Sequence, residues 1–194
     1  TTAAPYYAIT SQEISAGVTP SNYGYPANNI IRYGADPTGL NDSTSAIQNA
    51  IKVASQNYGE VYVPCGTFNV STTLTMTTAI VVRGQSMVGS IIKMNSQPTG
   101  TKPSYVGSTI YPPTLDYFPI LWNNNTLWGW QISEITLDGG NYNVHGLRLQ
   151  ENFYGTIRNV RIQNVSGGYA YINVRGQMIH QERLELYQCH SGGL

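Results

Sequence analysis

Three carboxylates stand where short stretches of alternating apolar and polar residues would expose them: Glu134 and Asp138 in ISEITLD, and Glu185 in ERLELY. Paired carboxyl groups can cleave a glycosidic bond, one as acid and the other as base or nucleophile. Retention of configuration needs them about 5–5.5 Å apart, and inversion about 6.5–9.5 Å. Read along one straight strand, Glu134 and Asp138 fall about 13 Å apart. Across stacked strands, Asp138 and Glu185 fall about 11–12 Å apart, and Glu134 and Glu185 much the same. The three are candidate catalytic residues that do not make a ready pair. A lyase would want clustered acids for calcium with an Arg or Lys base. The four Asp and six Glu of the chain are scattered instead.

Residue types that hold sugars surround these acids. Arg161 and Arg148 carry planar forks suited to carboxylate-bearing sugars. Tyr187 and the three tryptophans of LWNNNTLWGWQ, Trp122, Trp128 and Trp130, have faces on which a sugar ring can stack. Large aromatics also serve as packing in a core or an interface. An exposed Arg161–Glu185 ion pair would be the structural alternative to a site, worth less than about 1 kcal/mol.

Composition narrows the partners. Ten acidic and ten basic residues cancel, only 10% of the chain is charged, and no basic stripe forms, so no nucleic-acid partner is expected. Polarity comes from Asn, Thr, Gly and Tyr, which suit stacked strands and weakly charged ligands such as glycans. No apolar run reaches membrane-spanning length, and the N-terminus shows no signal peptide. His145, His180 and His190 lack metal-ligand spacing with the cysteines, and no metal or cofactor is expected. Cys65 and Cys189 read as small buried apolar groups, with a lone disulfide as the alternative.

The elements that must position these residues follow from periodicity. Residues 1–29, with Pro20 and Pro26, read as an extended arm or neck. A helix is predicted at about 42–56, capped by Asp42 or Ser43, with Ala46, Ile47, Ala50, Ile51 and Ala54 as one apolar stripe. The period then becomes two: EVYVP, TFNV, TLTM, AIVVRG, SIIKM and, after a Pro-rich loop at 95–119, PILW. ISEITLDG, IRNVRIQN and ERLELYQC then recur every 24 to 25 residues. GLRLQ and YINVR recur with them, which places Leu147 and Leu149 over Ile172 and Val174. Two strand positions repeating together at that period indicate an all-β solenoid whose coils add rungs to several parallel sheets. Ile135, Val160 and Leu184 should then stack inside. Three outward columns should form: Glu134–Asn159–Arg183, Thr136–Arg161–Glu185 and Asp138–Gln163–Tyr187. A neighbouring sheet should expose Arg148 above Asn173 and Gln150 above Arg175. The helix before the first rung would cap the open end.

Residues 30–93, with IIRYGADPTGLNDSTSAIQNAI, GEVYVPCGTFNVSTTLTM and AIVVRGQSMVGSIIK, resemble the N-terminal signature of the pectate-lyase-like superfamily, in particular its bacteriophage tailspike and depolymerase branch. The resemblance implies a right-handed single-stranded parallel β-helix and a homotrimer on a virion tail or outside the cell. It also implies binding and glycosidic cleavage of bacterial surface polysaccharide, capsule or lipopolysaccharide. Residues 30–194 would form the N-terminal part of such a domain, which ends partway through a rung. A non-catalytic segment for trimer assembly or glycan adhesion and a secreted bacterial pectate-lyase-like enzyme are the alternatives. Asn-Thr-Asp, Asp-Asp and Gly-His-Gly motifs of plant-type polygalacturonases are absent, and VHG at 144–146 is only a fragment of the last.

Overall fold

The computed structural model describes residues 6–100, 102, 117–123 and 125–193, with side chains up to His190. Most of the Pro-rich stretch at 95–119, expected to be a loop, lies outside the described residues, as does Leu194. The arm carries α1 (Ser11–Ala16), a 3-10 turn spans Ile30–Tyr33, and β1 (Thr38–Asp42) precedes α2 (Thr44–Ala54). The first coil is β2 (Glu60–Val63), β3 (Gly66–Val70) and β4 (Leu74–Met76). The second is β5 (Val81–Gly84), β6 (Ser90–Met94) and β7 (Phe118–Asn123). The third is β8 (Leu127–Trp128), β9 (Gln131–Asp138) and β10 (Val144–Gln150). The fourth is β11 (Asn152–Phe153), β12 (Thr156–Gln163) and β13 (Tyr169–Val174), and the fifth is β14 (His180–Tyr187) and β15 (Ser191–Gly193).

Every pairing among these strands is parallel, and each coil adds one rung to each stack. The result is a parallel β-solenoid of about five turns. Its connections wind right-handed, as parallel crossovers within a sheet do.

The long strands β9, β12 and β14 each serve two sheets. Residues 131–133 of β9 pair with β5, while 136–138 pair with β6. Between them the chain bends at one residue in the left-handed region: Glu134 in β9, Asn159 in β12 and Arg183 in β14, with φ of 55°, 49° and 56°. Asparagine tolerates this conformation; Glu and Arg adopt it only where the surroundings hold them. In β9 and β12 the inward residues are spaced three and then two apart, Ile132, Ile135, Leu137 and Ile157, Val160, Ile162, and all six are buried. The straight-strand separation of about 13 Å between Glu134 and Asp138 therefore does not apply, because the bend turns the two residues onto different faces.

The bore is a set of apolar columns. Ile135, Val160 and Leu184 lie in one column, as the repeat requires. Phe68, Ile92, Leu137, Ile162 and Leu186 form another. Each fully buried side chain of this size contributes about 1.5–3 kcal/mol. The third sheet departs from expectation by one residue. Leu147 pairs with Tyr171 and Arg148 with Ile172, an interval of 24 and not 25. All of β10 is buried, as is Ile172 on the outer column. With both faces covered, apolar alternation cannot fix the register.

The first coil has each of its three edges covered. Tyr62 N–H of β2 donates to the Asn28 carbonyl, and β1 pairs with β3. Gln48 of α2 stands in for a missing strand beside β4. Its Nε2 donates to the Thr75 carbonyl, and its Oε1 accepts the Thr75 N–H, both at 3.0 Å. The stripe of α2 is buried over the bore. Asp42 caps α2 by accepting the Thr44 N–H, whereas Ser43 Oγ accepts the Asp36 N–H. The arm contains regular structure where the sequence suggests none. Thr10 and Glu13 close a capping box on α1, and Glu13 meets Arg32 in a fully buried ion pair. Arg32 also donates to the carbonyls of Tyr7, Ala8 and Tyr25, which fastens the arm to the helix cap.

Candidate active site and glycan-binding face

The outer columns of β12 and β14 stand in the expected register: Thr136–Arg161–Glu185 and Asp138–Gln163–Tyr187. Arg161, Gln163, Glu185, Leu186 and Tyr187 line an open groove of about 390 Å³. Glu185 Oε2 accepts Arg161 Nε at 3.0 Å and Nη2 at 2.8 Å, and its Oε1 accepts Arg183 Nε at 2.9 Å. The bond from Arg161, and then that from Arg183, hold the Glu185 carboxyl below the ordinary carboxylate range. An ionised Glu185 can accept hydrogen bonds from sugar hydroxyls, or act as base or nucleophile, but it does not serve as a general acid.

The other two acids have different surroundings. Asp138 and Thr136, expected to face solvent, are buried. Thr136 Oγ1 donates to the Met87 carbonyl, so the β5–β6 connection lies over this part of β9. Asp138 accepts from the Gly140 N–H at 2.8 Å, from Gln163 Nε2 at 2.7 Å, and from Asn164 Nδ2 on both oxygens at 3.0 Å. These bonds tie two coils together and use the acceptor positions of the carboxylate. Glu134 sits at the bend, accepts Asn159 Nδ2 at 2.8 Å and lies 3.6 Å from Arg158. The fold thus spreads Glu134, Asp138 and Glu185 over separate columns and does not assemble them.

Of the proposed sugar-stacking tryptophans, Trp130 is 2% exposed in the core, and its ring fills the space where a side chain at Gly155 would stand. Trp122 is half-buried in the outer column of β7, beside Arg148. Arg148 is buried too, and desolvation draws its pKa down to about 9. Trp128 alone of the three presents a ring, with 59% of its surface exposed. Phe153 stacks on it at 4.4 Å, and Tyr154 lies 5.8 Å from it. Sequence reasoning missed this ladder. Its signal was present, because Phe153 follows Trp128 by one coil, and β8 pairs with β11 in that register.

Both cysteines are free, and Cys65 is exposed, which corrects the reading of two buried groups. Among the described residues no cluster of three or more His, Cys, Asp or Glu could hold a metal. No helix there is long and apolar enough to cross a membrane.

The chain matches the family described as rhamnogalacturonase A/epimerase, pectate lyase-like, over residues 27–186. No curated protein matches it. Among solved structures it is similar to ORF18 of Geobacillus virus E2, with 20% identity and a TM-score of 0.58, over 82% of this chain and 35% of that one. It is similar to the A-module of mannuronan C-5 epimerase AlgE4 from Azotobacter vinelandii, with 17% identity and a TM-score of 0.54, over 84% and 51%. It is also similar to PfbA, a surface adhesin of Streptococcus pneumoniae, with 18% identity and a TM-score of 0.52, over 78% and 38%. The chain spans about a third of the phage protein and about half of the epimerase module. At these identities the likeness shows the shared β-helix, a scaffold on which unrelated chemistries occur.

Proposed function

Because the chain belongs to the rhamnogalacturonase A/epimerase, pectate lyase-like family, we propose that it binds bacterial surface polysaccharide, capsule or lipopolysaccharide, along the outer face of β12 and β14. In this reading it is part of a phage-type tailspike, a homotrimer on a virion tail, whose whole chain cleaves the glycan. The observation that carries the binding half is the open groove in which Arg161 and Arg183 hold Glu185 ionised beside Tyr187 and Gln163. There the Tyr187 ring stacks a sugar, while Glu185 and Gln163 bond its hydroxyls. The phage relative supports the tailspike setting, and the adhesin and the epimerase fit a glycan-facing role outside the cell.

For cleavage, Glu185 is the candidate base or nucleophile, with Glu134 and Asp138 as the other catalytic candidates. A second reading is favoured by the four bonds that occupy Asp138. In it this segment serves adhesion or assembly, and the acid of any catalytic pair lies elsewhere in the parent protein. The test is to incubate the chain with purified capsules and lipopolysaccharides. Bound glycan, released reducing ends and absorbance from unsaturated uronate are then measured. Saturable binding, weakened about two- to ten-fold by Tyr187→Ala, is expected. Binding without new ends or absorbance selects the second reading. Absence of binding to every polysaccharide refutes the first reading and leaves the second with assembly alone.

A further inference from the structure

Trp128, Phe153, Tyr154 and Met178 form an apolar ladder at the corner between the third sheet and the first strand of the next coil, one sheet away from the groove. Trp128 pairs with Phe153, which bridges to Gln177 in the coil above. The next column is Gly129, Tyr154 and Met178, all left-handed, with φ of 74°, 51° and 56°. Tyr154 is 57% exposed and Met178 71%. Phe153 stacks on the Trp128 indole at an interplanar angle of 22°, and 59% of the Trp128 surface stays exposed. A bulky ring at a left-handed corner is strained where glycine is at ease, and glycine occupies that corner one coil below.

We propose that this ladder is a second saccharide platform, which takes a neutral pyranose whose axial C–H groups lie against the exposed parts of the Trp128 and Tyr154 rings. The inference rests on the polysaccharide reading above and adds a subsite with different chemistry. Size argues for a sugar and against a protein partner. Two half-exposed aromatics and a methionine offer roughly 300 Å², about one or two sugar rings, whereas a stable protein interface needs about 800 Å² from each side. Polar groups stand at the rim to meet hydroxyls. Glu151 accepts Arg175 Nη1 at 2.9 Å and Thr126 Oγ1 at 3.3 Å, and all three groups reach solvent.

The test is calorimetric titration of the full chain with cellohexaose, a neutral β-linked glucan, and in parallel with intact capsule. The variants are Trp128→Ala, Tyr154→Gly and, for the groove, Tyr187→Ala. Tyr154→Gly also checks folding, because glycine relieves the left-handed strain and should leave the melting temperature unchanged or higher. Cellohexaose binding weakened about three- to ten-fold by Tyr154→Gly and by Trp128→Ala, but not by Tyr187→Ala, supports the platform. Equal affinity in wild type and both platform variants overturns it, as does failure of cellohexaose to bind the wild type. Loss of self-association in the platform variants without loss of glycan binding also overturns it, and assigns the patch to a second copy. If capsule binding survives while cellohexaose binding fails, the platform falls and the groove stands.

Discussion

At the scale of single residues, the chain uses charge mainly to hold itself together. Glu13 and Arg32 show this in the arm. Burial pushes the Glu13 carboxyl up, but the bonds from Arg32, Thr10 and Tyr33 outweigh it and bring the pKa to about 2, from 4.5 in the free side chain. A carboxyl whose pKa is depressed on folding stabilises the fold above its unfolded value and loses that contribution as pH falls. Glu13 should therefore contribute fully above about pH 4.5 and progressively less towards pH 2. Removing one partner of a buried pair strands the other, so Glu13→Ala should cost about 3–5 kcal/mol at neutral pH. Urea denaturation of wild type and variant from pH 7 to pH 2.5 checks both, and the gap between them should narrow with acid. The same scale shows what was legible in the candidate site. The Arg161–Glu185 pair and the three columns follow from the 24- to 25-residue interval, and the structure has them. The burial of Thr136 was not legible, because it comes from the β5–β6 connection, nearly fifty residues away in sequence at the Met87–Thr136 bond; Asp138 is held by Gly140 in the turn that follows it and by Gln163 and Asn164 of the next coil. The spacing of three then two between inward residues was a readable sign of the bend at Glu134 and Asn159, but alternation on either side masks it.

At the scale of elements, the helix cap and the coil edges carry the fold. The amphipathic pattern of 44–54 shows one helix with one apolar face, and a solenoid end gives that face a reason to exist. The pattern does not show how its polar face works. Gln48 makes both bonds that a neighbouring strand would make to Thr75, so the outermost strand β4 is not left bare. Gln48→Ala should speed amide exchange at Thr75 markedly while leaving β10 and β12 protected. It should cost about 1–3 kcal/mol through the two stranded backbone groups. Amide exchange followed by NMR reads both effects. The arm helix α1 was illegible for a related reason. Its six residues are too few to show a period, and a capping box and a buried ion pair hold it in place. The register of β10 against β13 was misread because the run is buried on both faces, so its pattern lacks the polar positions that would set one frame.

At the scale of the whole molecule, stacked coils turn a short repeat into long parallel rows of side chains. A row that faces inward becomes a core column, and a row that faces outward becomes a surface with fixed spacing of about 4.8 Å between rungs. A face of mixed Arg, Gln, Glu and Tyr, almost without net charge, lacks the basic stripe that nucleic acid needs, and in the proposed function it offers hydrogen bonds and a ring to a polysaccharide. The likeness to phage, adhesin and epimerase structures extends over about four-fifths of the chain, so the scaffold is common to proteins of different activity. The side chains on the outer face then decide what this member does. Hydrogen–deuterium exchange of the chain with and without a bound capsular polysaccharide locates the contact directly. Protection should rise in 157–163 and 181–187, the strands that carry the groove, and stay unchanged in α2 and β1. Protection that rises only in the helix cap or the arm, or nowhere, would contradict a glycan-binding face on β12 and β14.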